Sequence, residues 1–424
     1  MKNIPVLILA GTTAAILLCG SGKAVADPLR EAAERGDDPA AQVKLGREFF
    51  TGKNRPGNLA RAAWWFRRAA VAGDPEGAFH YGACLEFGWG VEKSLHGAIR
   101  EYRKAASLPQ ARFRTAHLLR NGLPEESDGS GGILAAVPPA PELAMAELRK
   151  LAAEKFPPAH LELAKHLYSD PAKRKECAAE IRQLAAEAAA TDAPPVPEAK
   201  LFYAGLLRSG YGGPVDEAEA GKQLADAVKA GYAPALTQLA ILCDTGLPGF
   251  DNDPKKVLEL LRTAAGRGEP QAMCILGDKY LSGEGLPHDP VKAAEYFARA
   301  AAAGYAGAFY RLGDCFMYGF GKTADAAAAV AEYEKGARTG EPEAQCRLGR
   351  AYLNGTGVAA DPTAAVFWFK CAGSSGNAAA VRELALALLA GRGIKKDPVE
   401  GMRLLRAAAE SGDSIAAGML NRYQ

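Results

Sequence analysis

Residues 268–304 carry two helical rhythms of apolar and small residues, separated by a glycine-rich break. Ala272, Leu276, Gly277 and Tyr280 fall at i, i+4, i+5 and i+8, one face of an α-helix. Gly283, Gly285 and Pro287 interrupt the pattern. Asp289-Pro290 then opens a second helix, with Asp as N-cap and Pro at the first helical position. Ala293, Ala294, Tyr296, Phe297, Ala300 and Ala301 form its inward face, and Gly304 stands just past its end. The pattern predicts a helical hairpin.

The Leu-Gly pair of the first helix recurs along the chain. Its second member falls at Gly46, Gly82, Ala116, Ala164, Ala204, Ala240, Gly277, Gly313, Gly349 and Ala385, in steps of 36, 34, 48, 40, 36, 37, 36, 36 and 36 residues. Gly or Ala is required where two helices cross closely, because a larger side chain would hold them apart. A helix-ending glycine lies nine residues earlier at Gly73, Gly231, Gly268, Gly304, Gly340 and Gly376. Such a period predicts stacked hairpins, each burying its apolar face only against its neighbours. About ten are expected, in an all-α solenoid.

Two stretches break the period. Residues 123–141 (LPEESDGSGGILAAVPPAP) are rich in Gly, Ser and Pro and are expected to be an exposed loop insertion. Residues 142–197 form degenerate repeats, with a helix expected over 171–190. Residues 27–122 hold the N-terminal repeats, and 198–424 the regular repeats and a capping helix.

The strings AAWWFRRAAVAGDPEGAFHYGACLEFGWGV, AAEYFARAAAAGYAGAFYRLGDCFMYGFG and AVFWFKCAGSSGNAAAVRELALALLAGRGI carry a family likeness. The repeat resembles the Sel-one-like repeat (SLR) family, a relative of the tetratricopeptide repeat. The resemblance implies a right-handed superhelical α-solenoid whose first helices line a concave groove. It also implies a non-enzymatic scaffold or adaptor binding a protein or peptide. On that likeness, the residue after each Leu-Gly pair faces the groove, which makes Arg47, His117, Lys165, Asp278, Asp314 and Arg350 the candidate partner-binding residues. The row is basic in the N-terminal half and acidic in the middle. Family members include periplasmic regulators of sensor proteins, assembly factors for exported polysaccharides and secreted host-contact proteins. The alternative reading is an envelope enzyme or binding protein acting on cell-wall glycan or peptide, since some relatives have been proposed to bind β-lactams.

Residues 1–26 stand outside the repeat. Lys2, an apolar run over 6–18 and the small-x-small site Ala24-Val25-Ala26 read as a secretory signal peptide. Export to the periplasm or beyond is therefore expected. Cys19 offers a lipoprotein alternative, but Leu18 stands before it where a small residue is usual. Lys+Arg number 51 against 49 Asp+Glu, and losing Lys2 and Lys23 leaves a formally neutral chain. That argues against nucleic-acid binding, which needs a basic excess.

Other chemistry is sparse. Cys346 and Cys371 lie on the two arms of one hairpin and are the candidate disulfide; the remaining cysteines read as small buried hydrophobes. A cysteine-rich branch of the family ties hairpins with cysteines seven residues apart, and no such pair occurs here. Gly319-Phe320-Gly321-Lys322-Thr323 resembles the end of a phosphate-binding loop, but Phe316 stands where that loop needs glycine. The six histidines form no ligand pair, so neither metal nor cofactor is expected. Trp64, Trp65, Phe66, Trp368 and Phe369 read as packing residues of second helices, whereas Trp89, inside Gly88-Trp89-Gly90, is less easily explained by packing.

Overall fold

Polar caps and glycines set the helix ends. In the computed structural model, which describes residues 28–35, 38–54, 56–127, 132–190, 196–246 and 253–420, Asp289 accepts the Lys292 N–H at 3.0 Å to start the helix Pro290–Ala302. Asp74, Ser94, Asp325 and Asp397 cap their own helices in the same way. Gly283, at φ 78°, ends Pro270–Ser282 in the left-handed conformation that a residue with a Cβ avoids. The loop then closes on itself: the Asp289 N–H donates to the Tyr280 carbonyl at 2.9 Å. Asp325 to Phe316, Asp361 to Tyr352 and Asp397 to Leu388 repeat that bond. Each second helix therefore starts at the same level beside its first.

The chain forms two compact units, residues 2–230 and 231–424. The described part of the first begins with the helix Pro28–Arg35. Five hairpins follow, from Pro39–Thr51 with Leu59–Val71 to Pro197–Ser209 with Glu217–Lys229. The second unit holds five more, from Ala233–Asp244 with Pro254–Gly266 to Ala378–Ala390 with Pro398–Glu410, and the short helix Ser414–Leu420. Within each unit the expected hairpins pack on their neighbours, and the core is a series of small apolar clusters.

Each Leu-Gly glycine meets one aromatic ring 20 residues later. A Cβ on Gly277 would stand 2.5 Å from the Phe297 ring, on Gly46 2.6 Å from Phe66, on Gly82 2.8 Å from Tyr102 and on Gly349 2.6 Å from Phe369. Gly313 lies against Tyr333 in the same way. Where the first helix carries Ala instead, the partner shrinks: Ala385 shares its cluster with Leu405, and Ala116 with Leu148. Volume is conserved across each crossing, as close packing demands.

A second glycine of the loop ties one repeat to the one before. Gly321, at φ 67°, lies directly on the Pro290 carbonyl, and Gly357 and Gly393 sit likewise on Ala326 and Pro362. The phosphate-loop look of 319–323 is this ordinary hairpin loop.

Three expectations change. The described residues of 123–141 are largely exposed, as expected, but they are not without structure: Glu126–Ser127 pairs antiparallel with Ile133–Leu134, and Leu123 bridges Val137. Glu126 reaches the N-terminus of the helix Leu95–Lys104, accepting the Leu95 N–H at 2.6 Å and the Ser94 hydroxyl at 2.8 Å. Leu123 is buried, which supplies the apolar contact that a free loop lacks. The helix expected over 171–190 is two, Pro171–Glu176 and Ala178–Ala189, because Cys177 leaves helical geometry at φ −103°, ψ 23°. Cys346 and Cys371 are both free thiols rather than a bridge. Phe369 faces Gly349 across the hairpin, and Cys371 lies two residues on, about 200° round the helix and so turned away. Residues 1–26, with the expected signal peptide and Cys19, lie outside the described residues.

Candidate protein-interaction surface

The residues following the Leu-Gly pairs lie on first helices, and most of the charged ones are bound to the next repeat. The partner stands 33 residues on in each case, two residues before the next Leu-Gly glycine or near the start of the next first helix. Arg311 Nε donates to Asp278 at 2.9 Å, and Arg347 Nε donates to Asp314 Oδ1 at 3.0 Å. Arg350 Nε donates to Glu383 at 3.1 Å, Arg47 Nε to His80 Nε2 at 3.1 Å, and Lys165 to Glu198. These pairs form rungs between neighbouring repeats. His117 joins no rung; burial, then Arg114 and Arg120, depress its basicity.

Within the second unit the rungs extend into networks. Arg347 takes both oxygens of Asp314 and reaches Glu343 at 2.8 Å through Nη1. Asn377 donates to the other oxygen of Glu343 at 2.9 Å. Arg350 shares Glu383 with Arg382, which is itself buried and paired with Asp413. Such forked arginine–carboxylate pairs fix geometry more than they add stability at half-exposed positions. The result is a charged surface whose side chains are already ordered.

One element of this surface was not legible in the sequence. Where the ring over the Leu-Gly glycine is tyrosine, its hydroxyl is buried and needs a partner. Tyr333 donates to Asp314 at 2.6 Å, and Asp314 also holds Arg347. Tyr102 donates to Glu86 at 2.7 Å, and Glu86 also holds Arg114. Burial first, and then the carboxylate, push both phenols well above their ordinary range. The signal was present as a tyrosine at that step together with an acid and a later arginine. It is invisible without knowing that glycine and ring touch.

His80 and the buried thiols are not poised for acid–base or nucleophilic chemistry. His80 accepts from Arg47, which can only donate, so its Nε2 carries no proton. Burial, and then the Arg47 charge, lower its pKa to about 3. Burial raises the Cys84 and Cys274 thiols to about 12 and those of Cys315 and Cys346 to about 11, far from reactive thiolates. Arg47, His80, Phe66 and Trp89 enclose a void of about 10 Å³, room for roughly one water. Among the described residues no group of three or more His, Cys, Asp or Glu side chains is placed to hold a metal ion, and no helix is long and apolar enough to cross a membrane.

The aromatics divide by helix face. Trp65, Phe66 and Phe369 are buried, and Trp368 is half-buried. Trp64 is 53% exposed, with Arg68 over its ring at 5.5 Å. Trp89 has a packing role after all: it stacks on Phe87 at 4.6 Å and meets Phe50 edge-on at 5.1 Å.

Comparison with known proteins agrees with this architecture. The Sel1 repeat matches residues 39–74, 75–110, 233–269, 270–305, 308–340, 342–377 and 378–413, together more than half of the chain. Sel1 repeat proteins are generally non-catalytic scaffolds for protein–protein interaction. Among solved structures, a protective antigen of uropathogenic Escherichia coli with an SLR fold is similar at 23% identity, over 95% of this chain and 90% of its own, with a TM-score of 0.49. A Sel1 repeat protein from Oxalobacter formigenes is similar at 21% identity over 99% of both chains, with a TM-score of 0.46. An immunity protein from Pseudomonas aeruginosa aligns at 20% identity over 53% of this chain and 82% of its own, with a TM-score of 0.37. No curated protein sequence matches the chain. With repeats matched in both units, over more than half of the chain, and a glycine crossing in five of the seven, the chain belongs to the Sel1 repeat family.

Proposed function

We propose that the chain is a non-enzymatic scaffold or adaptor of the bacterial cell envelope that binds a protein partner through the face of its first helices. The observation that carries this reading is the set of inter-repeat rungs. Asp278–Arg311, Asp314–Arg347 and Arg350–Glu383 hold charged groups at a regular repeat on that face. Side chains ordered before binding lose less entropy when a partner docks. The envelope assignment rests on the signal-like pattern of residues 1–26.

The test begins with the chain from Asp27 as bait in an envelope extract. The affinity of the recovered partner is then measured against variants. Arg47→Ala/His117→Ala/Lys165→Ala and Asp278→Ala/Asp314→Ala should weaken binding about tenfold or more and flatten its salt dependence. Arg299→Ala, on a second helix, should leave it unchanged. Unaltered affinity in both first-helix variants would move the binding surface elsewhere.

A further inference from the structure

We propose that the described parts of the insertion, residues 123–127 and 132–141, build a separate binding site, beside the second helix Leu95–Lys104, for an extended acidic peptide carrying apolar side chains. The insertion does not pack flat on that helix. Between them lies a cleft of about 550 Å³, walled by Ile99, Leu119, Leu134 and Val137. A neighbouring cleft of about 320 Å³ shares Arg103 and Leu119 with it and continues toward the helix Pro141–Ala153 at Leu143 and Lys150. Each is of the size that binds ligands, and together they form a trough rather than a compact hole.

The charge along the trough has one sign. His96, Arg100, Arg103 and Lys104 line the larger cleft, and among the described residues no acidic side chain does. In the smaller one the single carboxylate, Glu147, is held by Arg112 at 2.6 Å. The Arg103 side chain makes no ion pair or hydrogen bond among the described residues, and Arg100 lies 3.9 Å from Glu101, whose closer partner is Lys104 at 2.8 Å. Positions 100, 103 and 104 fall at i, i+3 and i+4, so the cations share one helix face. Their spread along the helix, over an apolar floor, matches several carboxylates on one extended chain and not a single phosphate. Backbone groups are offered as well. Ala135 and Ala136 are exposed, and their amides make no hydrogen bond within the described chain. Leu134, 37% exposed, leaves an apolar rim beside them. Glu126 fixes the insertion to the helix, so the trough is formed before any ligand arrives.

This site is independent of the first-helix face. Its test is selection of random dodecapeptides displayed on phage against the chain from Asp27. The expected result is enrichment of peptides that combine Asp or Glu with Leu, Ile or Phe. They should bind saturably and lose at least tenfold in affinity to Arg100→Glu/Arg103→Glu. Leu134→Asp, which changes only the apolar rim, should weaken them too, whereas Arg403→Glu should not. Circular dichroism melting establishes that each variant is folded. Selected peptides without acidic bias, or equal binding by both trough variants, would overturn the proposal. So would phosphatidylglycerol vesicles that bind the chain, and not Arg100→Glu/Arg103→Glu, where no acidic peptide does.

Discussion

At Gly277 one absent Cβ sets the packing of a whole hairpin, because the Phe297 ring occupies its place. The sequence showed that only Gly or Ala is tolerated there; that the choice tracks ring against leucine on the partner helix came from the structure. Gly277→Ala should cost about 1–3 kcal/mol by overpacking. Adding Phe297→Leu should recover most of it, as in the natural Ala385 and Leu405 pair. Urea denaturation of the two single variants and the double checks this; a double variant as unstable as the sum of the singles would contradict it. His80 gives a second residue-scale prediction. Its pKa is about 3 in the folded chain against an ordinary 6.5, so below pH 6.5 the unfolded chain takes up a proton that the folded chain refuses. Stability is therefore full above pH 6.5 and falls as the pH drops toward 3, by roughly 1.4 kcal/mol per pH unit at the steepest. His80→Gln, whose amide oxygen can still accept from Arg47, should flatten the urea midpoint between pH 6.5 and 4. An equally steep profile in that variant would remove His80 from the account.

Among the elements, the regular hairpins were legible because cap, period and terminating glycine agree at each one. The exposure of the insertion was legible, but its anchoring was not, for a physical reason. Its Gly, Ser and Pro content describes local freedom, whereas its position is set by Glu126 reaching a helix N-terminus 31 residues earlier in the chain. Burial would raise the Glu126 pKa, but hydrogen bonds from Leu95, Ser94 and His96 outweigh it and hold the carboxyl below its ordinary 4.5. The latch is thus complete above pH 4.5 and is lost as the pH falls through the lower folded value. Glu126→Gln should imitate that loss at neutral pH. Hydrogen exchange at the Leu123 and Val137 amides, which bond each other's carbonyls at 2.8 Å, should quicken at least tenfold in the variant, with the last turn of Leu95–Lys104 unchanged. Undisturbed protection at those two amides would mean that the bridge stands without the latch. The break at Cys177 was missed for a similar reason, since 171–190 is alanine-rich and helical throughout by propensity.

For the molecule as a whole, the 36-residue step was enough to predict stacked hairpins, because a repeat array encodes its fold many times over, and the likeness of the repeat strings pointed to the family. The surface was less legible. Arg47, Lys165, Asp278, Asp314 and Arg350 could be placed on first helices from the resemblance, yet their engagement with the next repeat depends on contacts 33 residues away. A charged row and a set of rungs look alike in one dimension. The identity of the partner is not written in the repeat at all, since a fold does not fix a function. The central claim is that first helices meet an envelope protein. The most direct measurement is in-cell photo-crosslinking, with a photoreactive amino acid placed singly at Lys44, Thr51 and Asp278 on first helices and at Arg299 and Arg403 on second helices. The account predicts one shared crosslinked protein from the first-helix positions and none of it from the second-helix ones. Crosslinks to that protein from Arg299 or Arg403 alone would contradict it.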